Sequence, residues 1–400
     1  MPSAVEPHSF DIPADLLKDV RGWRTRFLLA GLVASALCAA GWFFDADQFY
    51  RSYIWCYMFY IGVPLGATAL LMLQYLTGGA WGIVIRRHCE AASRTFPLLL
   101  IFFIPIVVGI PHLYQWSHAD IVAHDAVLRH KQVYLNVPFF LIRAAFYFAG
   151  WSLIAHLLYK WSGEQDRGDR RAASRLSALS GPGLVFYGFS VTFMAVDWVL
   201  SINPHWFSTI FGMLFIAGEG LAAIAFLICV LVIFSSRPPL SDILTARHLH
   251  DVGKLLLAFV MVWAYFSFSQ LLIIWSGNLP EEIPWYLNRF AGGWQYIGLG
   301  LVALHFALPF ALLLSRDLKR NFNLLCSVAI LVLVMRFVDL YWMVAPDFSK
   351  QRFTVSWMDF LMPVALGGIW LATFLWQLER RPLIPLGDPH LEEALEHGRD

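Results

Sequence analysis

A chain of 400 residues that is 58% hydrophobic and only 14% charged lies far from soluble domains, in which about a quarter of residues carry charge. Its formal net charge of +1 offers no electrostatic footprint for a nucleic-acid partner. The apolar residues come in blocks of about 20, the length of a bilayer-spanning helix, so the composition points to an all-α integral membrane protein. A membrane β-barrel would instead show alternating segments of about 10 residues, and none is seen.

Taken in chain order, the pattern predicts ten helices: Phe27–Phe44, Tyr53–Leu76, Phe96–His112, Val137–Tyr159, Gly183–Ile202, Thr209–Phe234, Leu255–Trp275, Trp294–Leu314, Asn323–Val344 and Trp357–Leu378. Residues 1–26 read as a polar N-terminal arm, 27–378 as the membrane domain and 379–400 as a short polar tail. The arm is long for the n-region of a signal peptide, and ASALCAA at Ala34 to Ala40 reads as small residues of a first helix rather than a cleavage site. With no sizeable soluble domain, any water-facing catalytic domain is expected on another chain.

The loops fix the expected orientation. Of 29 lysines and arginines, 21 fall in the N-terminal arm, the even-numbered loops and the tail. Six fall in odd-numbered loops: Arg51, Arg129, Lys131, Arg289, Lys350 and Arg352. The positive-inside rule then places both termini in the cytoplasm. Pro238-Pro239 stops the sixth helix. In NLPEEIPWYLNRFAGGW, Trp285, Tyr286 and Trp294 suit either an interfacial aromatic belt or a periplasmic docking surface.

Cys38, Cys56, Cys89, Cys229 and Cys326 are scattered singly, without CxxC or CxxCH. No c-type haem or iron–sulfur cluster is expected in this chain, and the thiols read as core filling. A b-type haem would need two imidazoles at one depth on facing helices. His305 lies near the midplane, His156 near the inner end and His112 near the outer end, so none is expected.

Ionisable groups inside spans are costly and mark proton or substrate pathways. In VTFMAVDWVLSINPHWFST, Asp197 lies roughly 20 Å along an outward-running helix, at about 1.5 Å per residue. Glu219 and His305 fall near mid-depth, Arg336 likewise, Asp339 one turn further out, and Arg143 near the outer end of the fourth helix. Together they read as a polar ladder from midplane to outer surface, with a poorer inner half. Arg336 and Asp339 are i, i+3 and share a face. Ser190, Asp197 and Ser201 form one stripe, and so do Trp263, Ser267 and Gln270. Asp197 has two candidate counter-ions, Arg143 and Arg336. Glu219, flanked by Gly218 and Gly220, suits a proton carrier, and His305 a proton-exchanging partner. The alternative is a set of static interhelical pairs.

Three stretches carry a family resemblance: YRSYIWCYMFYIGVPLGATALLMLQYLTGGAWGIVIRRHCEAASRTFPLLLIFFIPI, DWVLSINPHWFST and WAYFSFSQLLIIWSGNLPEEIPWY. In that order, across about Tyr50 to Trp376, they resemble the ActF subunits of alternative complex III, in the NrfD-like superfamily. The resemblance implies two four-helix bundles, from helices 2–5 (about 53–159) and 6–9 (about 209–344), plus two peripheral helices, in a bacterial cytoplasmic membrane. It implies a cofactor-free subunit of a quinol:cytochrome c oxidoreductase. The expected partners are a paralogous ActC-type membrane subunit, iron–sulfur and haem c subunits, lipid, and in some assemblies a terminal oxidase. In the family the ActF subunit is proposed to conduct protons, while the better supported quinol site lies in the paralogue.

Four readings follow. The first is a proton path through Glu219, His305, Arg336, Asp339, Asp197 and Arg143. The second is direct quinol binding near Asp197, Asp339 or His305, since quinol oxidation needs a proton acceptor beside an apolar slot. A stand-alone transporter would need paired broken helices and an internal repeat, and no clear pair is seen. The fourth is a purely architectural scaffold.

Overall fold

The computed structural model describes residues 12–349, 352–388 and 391–392. Residues 1–11 of the arm, Lys350, most of the tail beyond Asp388 and its Arg399 lie outside the described residues. All regular structure among them is helical. Among the described residues, nine helices are long and apolar enough to cross a membrane: α1 (Ala14–Trp42), α2 (Ala46–Thr77), α5 (Val137–Asp166), α6 (Arg171–Trp198), α7 (Phe211–Phe234), α8 (Ala246–Gly277), α9 (Trp294–Leu314), α10 (Phe322–Phe348) and α11 (Trp357–Leu378). A bent pair, α3 (Ile83–Ser93) and α4 (Phe96–Val108), meets at 43° and makes a tenth if counted as one span.

Local chemistry sets the ends. Asp45, Asn136 and Asn321 accept from the first-turn amides of α2, α5 and α10, and Ser356 and Asp359 form a reciprocal capping box on α11. Such caps satisfy amides that a helix start leaves orphaned. Asn278, in the left-handed region at φ 45°, terminates α8.

Packing closes two rings of four. In one, α2, α4, α5 and α6 are successive neighbours; in the other, α7, α8, α9 and α10 are. The α2–α7 contact joins the rings, and these two helices are the most buried of the nine long spans. Gly66 makes that contact possible. A side chain there would run into the Glu219 carbonyl and the Ala223 methyl. α1 and α11 pair along their lengths, with Gly31 against Gly368, and lie outside the rings against α2.

The sequence pattern and the structure part in several places: α6 starts at Arg171 rather than Gly183, α8 at Ala246 rather than Leu255 and α2 at Ala46 rather than Tyr53. α1 starts at Ala14 rather than Phe27, so the second half of the polar arm is helical. The segment before Phe96, expected as a charged loop, is the helix α3, and all of it is buried. Its charges are matched pairwise, which is why its hydropathy hides it. Glu90 takes Arg87 at 2.7 Å and the Ser162 hydroxyl at 2.5 Å, and lies 3.5 Å from Arg381. Arg86 and Arg87 also bind Asp388 and Asp166. This network clasps the start of the C-terminal tail to α3 and α5. Finally, Trp285, Tyr286 and Trp294 are all buried, so they form neither an exposed belt nor a free docking surface. Trp285 stacks on Trp206 at 4.5 Å and carries the Arg289 guanidinium 3.5 Å above its ring.

Candidate functional site

The predicted ladder divides in two. Its first part is a closed ion pair inside the α2–α4–α5–α6 ring. Asp197, fully buried, receives Arg143 Nε at 2.8 Å and Nη2 at 2.9 Å, and the Tyr147 hydroxyl at 2.8 Å. Arg143 also donates to the Tyr134 carbonyl at 3.0 Å and lies 3.9 Å over the Tyr134 ring. Of the two candidate counter-ions, Arg143 is the partner and Arg336 is not. The two serines of the Asp197 stripe bond elsewhere. Ser190 accepts from the Trp151 indole at 2.9 Å, and Ser201 donates to the Asp197 backbone carbonyl at 2.5 Å.

The second part lies where the rings meet. Glu219 of α7 accepts the Tyr187 hydroxyl of α6 at 2.8 Å through Oε2, and its buried Oε1 has no hydrogen-bond partner among the described residues. The Arg336 guanidinium occupies the space where a side chain on Gly218 would project, so any larger residue there would have to displace it. Arg336 pairs with Asp339, as their shared face requires. It lies against α7 at Gly218, the residue before Glu219. Asp339 also accepts the Trp263 indole N–H at 3.1 Å, and the Trp263 ring meets the His305 ring edge-to-face at 4.3 Å.

His305 is fully buried, and neither ring nitrogen has a hydrogen-bond partner among the described residues. It sits in a π-helical stretch, Leu301–Ala307, in the middle of α9. Widened turns of this kind are rare and recur at functional sites. A buried polar atom left unpaired costs about 1–3 kcal/mol. Glu219 and His305 therefore hold unused hydrogen-bonding capacity, whereas both carboxylate oxygens of Asp197 are engaged.

Beside this cluster a cavity of about 720 Å³ opens between α8, α9 and α10. Trp263 and Asp339 form part of its wall, with Ser267, Gln270, Phe306 and Trp342. Gln270 is fixed by Ser208 at 2.8 Å and by Tyr286 at 3.3 Å. The Trp263–Ser267–Gln270 stripe is thus the polar seam of an otherwise apolar cleft.

Sequence reasoning missed three contributors. Tyr187 was legible, for it lies on the same 4–3 stripe as Ser190 and Asp197. Tyr147 likewise lies one turn beyond Arg143 on α5. Arg289, counted among loop charges, is fully buried and pairs with Asp347 at 2.8 Å; nothing in its sequence neighbourhood signals that. Among the described residues no three His, Cys, Asp or Glu side chains converge as a metal site.

The fold and these intramembrane charges define an all-α, multi-pass membrane protein with a buried acid–base cluster. No family model and no curated protein matches the chain.

Proposed function

We propose that the chain is a membrane subunit of a quinol-oxidising, cytochrome c-reducing complex, without a redox cofactor of its own, in which Glu219, His305, Arg336 and Asp339 exchange protons. One observation carries this reading: Glu219 and His305, in the cluster that also holds Arg336 and Asp339, each keep unpartnered, buried polar atoms. Static packing satisfies its polar groups, and proton-relaying sites keep capacity for water or a donor. The fixed guanidinium lets a neighbouring carboxylate hold or release a proton without leaving a bare negative charge in the membrane. Arg143 and Asp197 fall outside the relay, as a saturated ion pair that holds α5 to α6.

The identity of the complex rests on the ActF resemblance, and so do its partners, an ActC-type membrane subunit with iron–sulfur and haem c subunits. Cytoplasmic termini rest on the charge distribution, and a bacterial cytoplasmic membrane on the resemblance. The cavity favours a second reading, in which a quinol enters this chain. Its volume suits a ligand site, and its wall joins aromatic side chains to Asp339. A quinol oxidised there would give two electrons to the partner centres and two protons, the first to Asp339.

The test is the assembled complex in sealed vesicles, with native chain, Glu219→Gln, His305→Gln and Asp197→Asn compared. The relay reading expects proton release to fall at least tenfold for Glu219→Gln and His305→Gln, and to persist for Asp197→Asn wherever the complex assembles. Unchanged proton release in both relay variants refutes it. A photoreactive quinone analogue that labels Phe306 or Trp342 supports the second reading; labelling confined to other subunits removes it.

A further inference from the structure

A second cavity, of about 650 Å³, lies where α2 begins, just beyond the end of α4 and at the end of α10. Its lining includes Arg51, His112, Gln115, Arg352 and Thr354. Two of these are guanidiniums without a close anion, Arg51 lying 5.3 Å over the Phe348 ring. Arg51 reaches Asp47 only at 4.0 Å, and its buried Nε has no hydrogen-bond partner among the described residues. Arg352 makes no hydrogen bond or ion pair among the described residues. The nearby acids are engaged elsewhere. Asp47 receives His112 at 2.6 Å, and Asp347 is held by Arg289 at 2.8 Å. The cavity therefore carries uncompensated positive charge, in a fork geometry that suits a phosphate.

Apolar surface leads up to it. Ile101, Ile104 and Val108 are each more than half exposed and share one face of α4, and the chain just beyond, from Pro111 to Gln115, forms the cavity wall. On another side Tyr50 stacks on His112 at 4.8 Å and accepts the Trp42 indole N–H at 3.1 Å. The next two residues, Phe43 and Phe44, are almost wholly exposed. A charged recess at the head of an apolar stripe matches a molecule with an anionic head and hydrocarbon tails.

We propose that this cavity is a phospholipid site, with the phosphate of an anionic lipid between Arg51 and Arg352 and an acyl chain along Ile101, Ile104 and Val108. The proposal is independent of the proton relay and of which way the chain faces, since both leaflets present phosphate.

Native mass spectrometry of the purified membrane protein tests it, with phosphatidylglycerol, phosphatidylcholine and inorganic phosphate as probes. Native protein should retain phosphatidylglycerol in preference to phosphatidylcholine. The double variant Arg51→Gln, Arg352→Gln should lose that retention by roughly tenfold or more, the scale of one charge-assisted hydrogen bond. Thr354→Glu, on an exposed rim residue, should do the same without touching packing, which covers the case in which the arginine variant misfolds. Retention within twofold of native in both Thr354→Glu and a folded double variant overturns the proposal. So does full displacement by millimolar inorganic phosphate, which would make it a free-phosphate site. Loss of a partner subunit with lipid retention unchanged overturns it too, and assigns the charge to an acidic protein segment.

Discussion

Replacing Arg143 by methionine separates a structural ion pair from a proton station. Asp197 is fully buried and receives three hydrogen bonds, two of them from Arg143. Methionine keeps much of the stem's volume but leaves the carboxylate with Tyr147 alone. Breaking one side of a buried pair costs about 3–5 kcal/mol, because the surviving charge is uncompensated. The lower end of that range applies here, since a denatured chain in detergent or lipid finds other polar partners. Asp197→Asn in the same background removes the stranded charge, so the double variant should recover on the order of 1–2 kcal/mol relative to Arg143→Met. The assay is equilibrium unfolding in mixed micelles, followed by tryptophan fluorescence; Trp198 adjoins the pair and packs on Trp151, Phe103 and Phe148. The reasoning fails if Arg143→Met unfolds within about 1 kcal/mol of native, or if the double variant is no more stable than Arg143→Met.

Three further outcomes are expected. Gly66→Ala should destabilise by about 1–3 kcal/mol or prevent folding, because the new methyl meets the Glu219 backbone, with its carbonyl carbon 2.6 Å away. Gly62→Ala should be far milder, facing only the Glu219 side chain at 3.2 Å; equal thermal shifts for the two would contradict the α2–α7 packing. Glu90→Gln takes the shared anion from Arg86, Arg87 and Arg381, a loss of about 3 kcal/mol or more, read as tail cleavage near Arg381 under limited proteolysis. Asp125 caps the short helix Ala126–Lys131, and the Leu128 amide, then His205, hold its carboxyl below the usual range. A depressed folded value means that the cap's contribution is full above the unfolded value, near about 4, and is lost as pH falls through the lower folded value. Amide protection of residues 127 and 128 should therefore hold at pH 5 and drop as the pH is lowered below about 4. Asp125→Asn, also a good cap, should flatten that dependence.

How far the sequence carried depends on what each inference rested on. Length and hydropathy located the long helices, because desolvating about 20 apolar residues leaves few alternatives to a span. They failed at α3, where Arg86, Arg87 and Glu90 look solvated one by one. Only their mutual pairing, and that of Arg86 and Arg87 with Asp388 and Asp166, makes burial tolerable. Arg289 escaped for the same reason. Its acceptors are Trp285, Trp342 and Met343 carbonyls and Asp347, the last three more than 50 residues away in the chain.

The same division governs the candidate site. Relations within one helix were legible: Arg336 and Asp339 pair because i, i+3 leaves them adjacent. Counting residues along each span also put Glu219, His305 and Arg336 at one expected depth. Depth says nothing of azimuth, however, and azimuth decided the outcome. Asp197 turns into its own ring toward Arg143, while Glu219 reaches from α7 to Tyr187 on α6 of the other ring. A single ladder thus became one saturated pair and one cluster with hydrogen-bonding capacity unspent. That contrast, rather than the number of charges in the membrane, is what the proposed relay rests on. A brace is most stable when every donor and acceptor is taken. A relay must keep at least one of each free for the proton that passes. Glu219 Oε1 and the two His305 nitrogens meet that condition, and the Asp197 carboxylate does not.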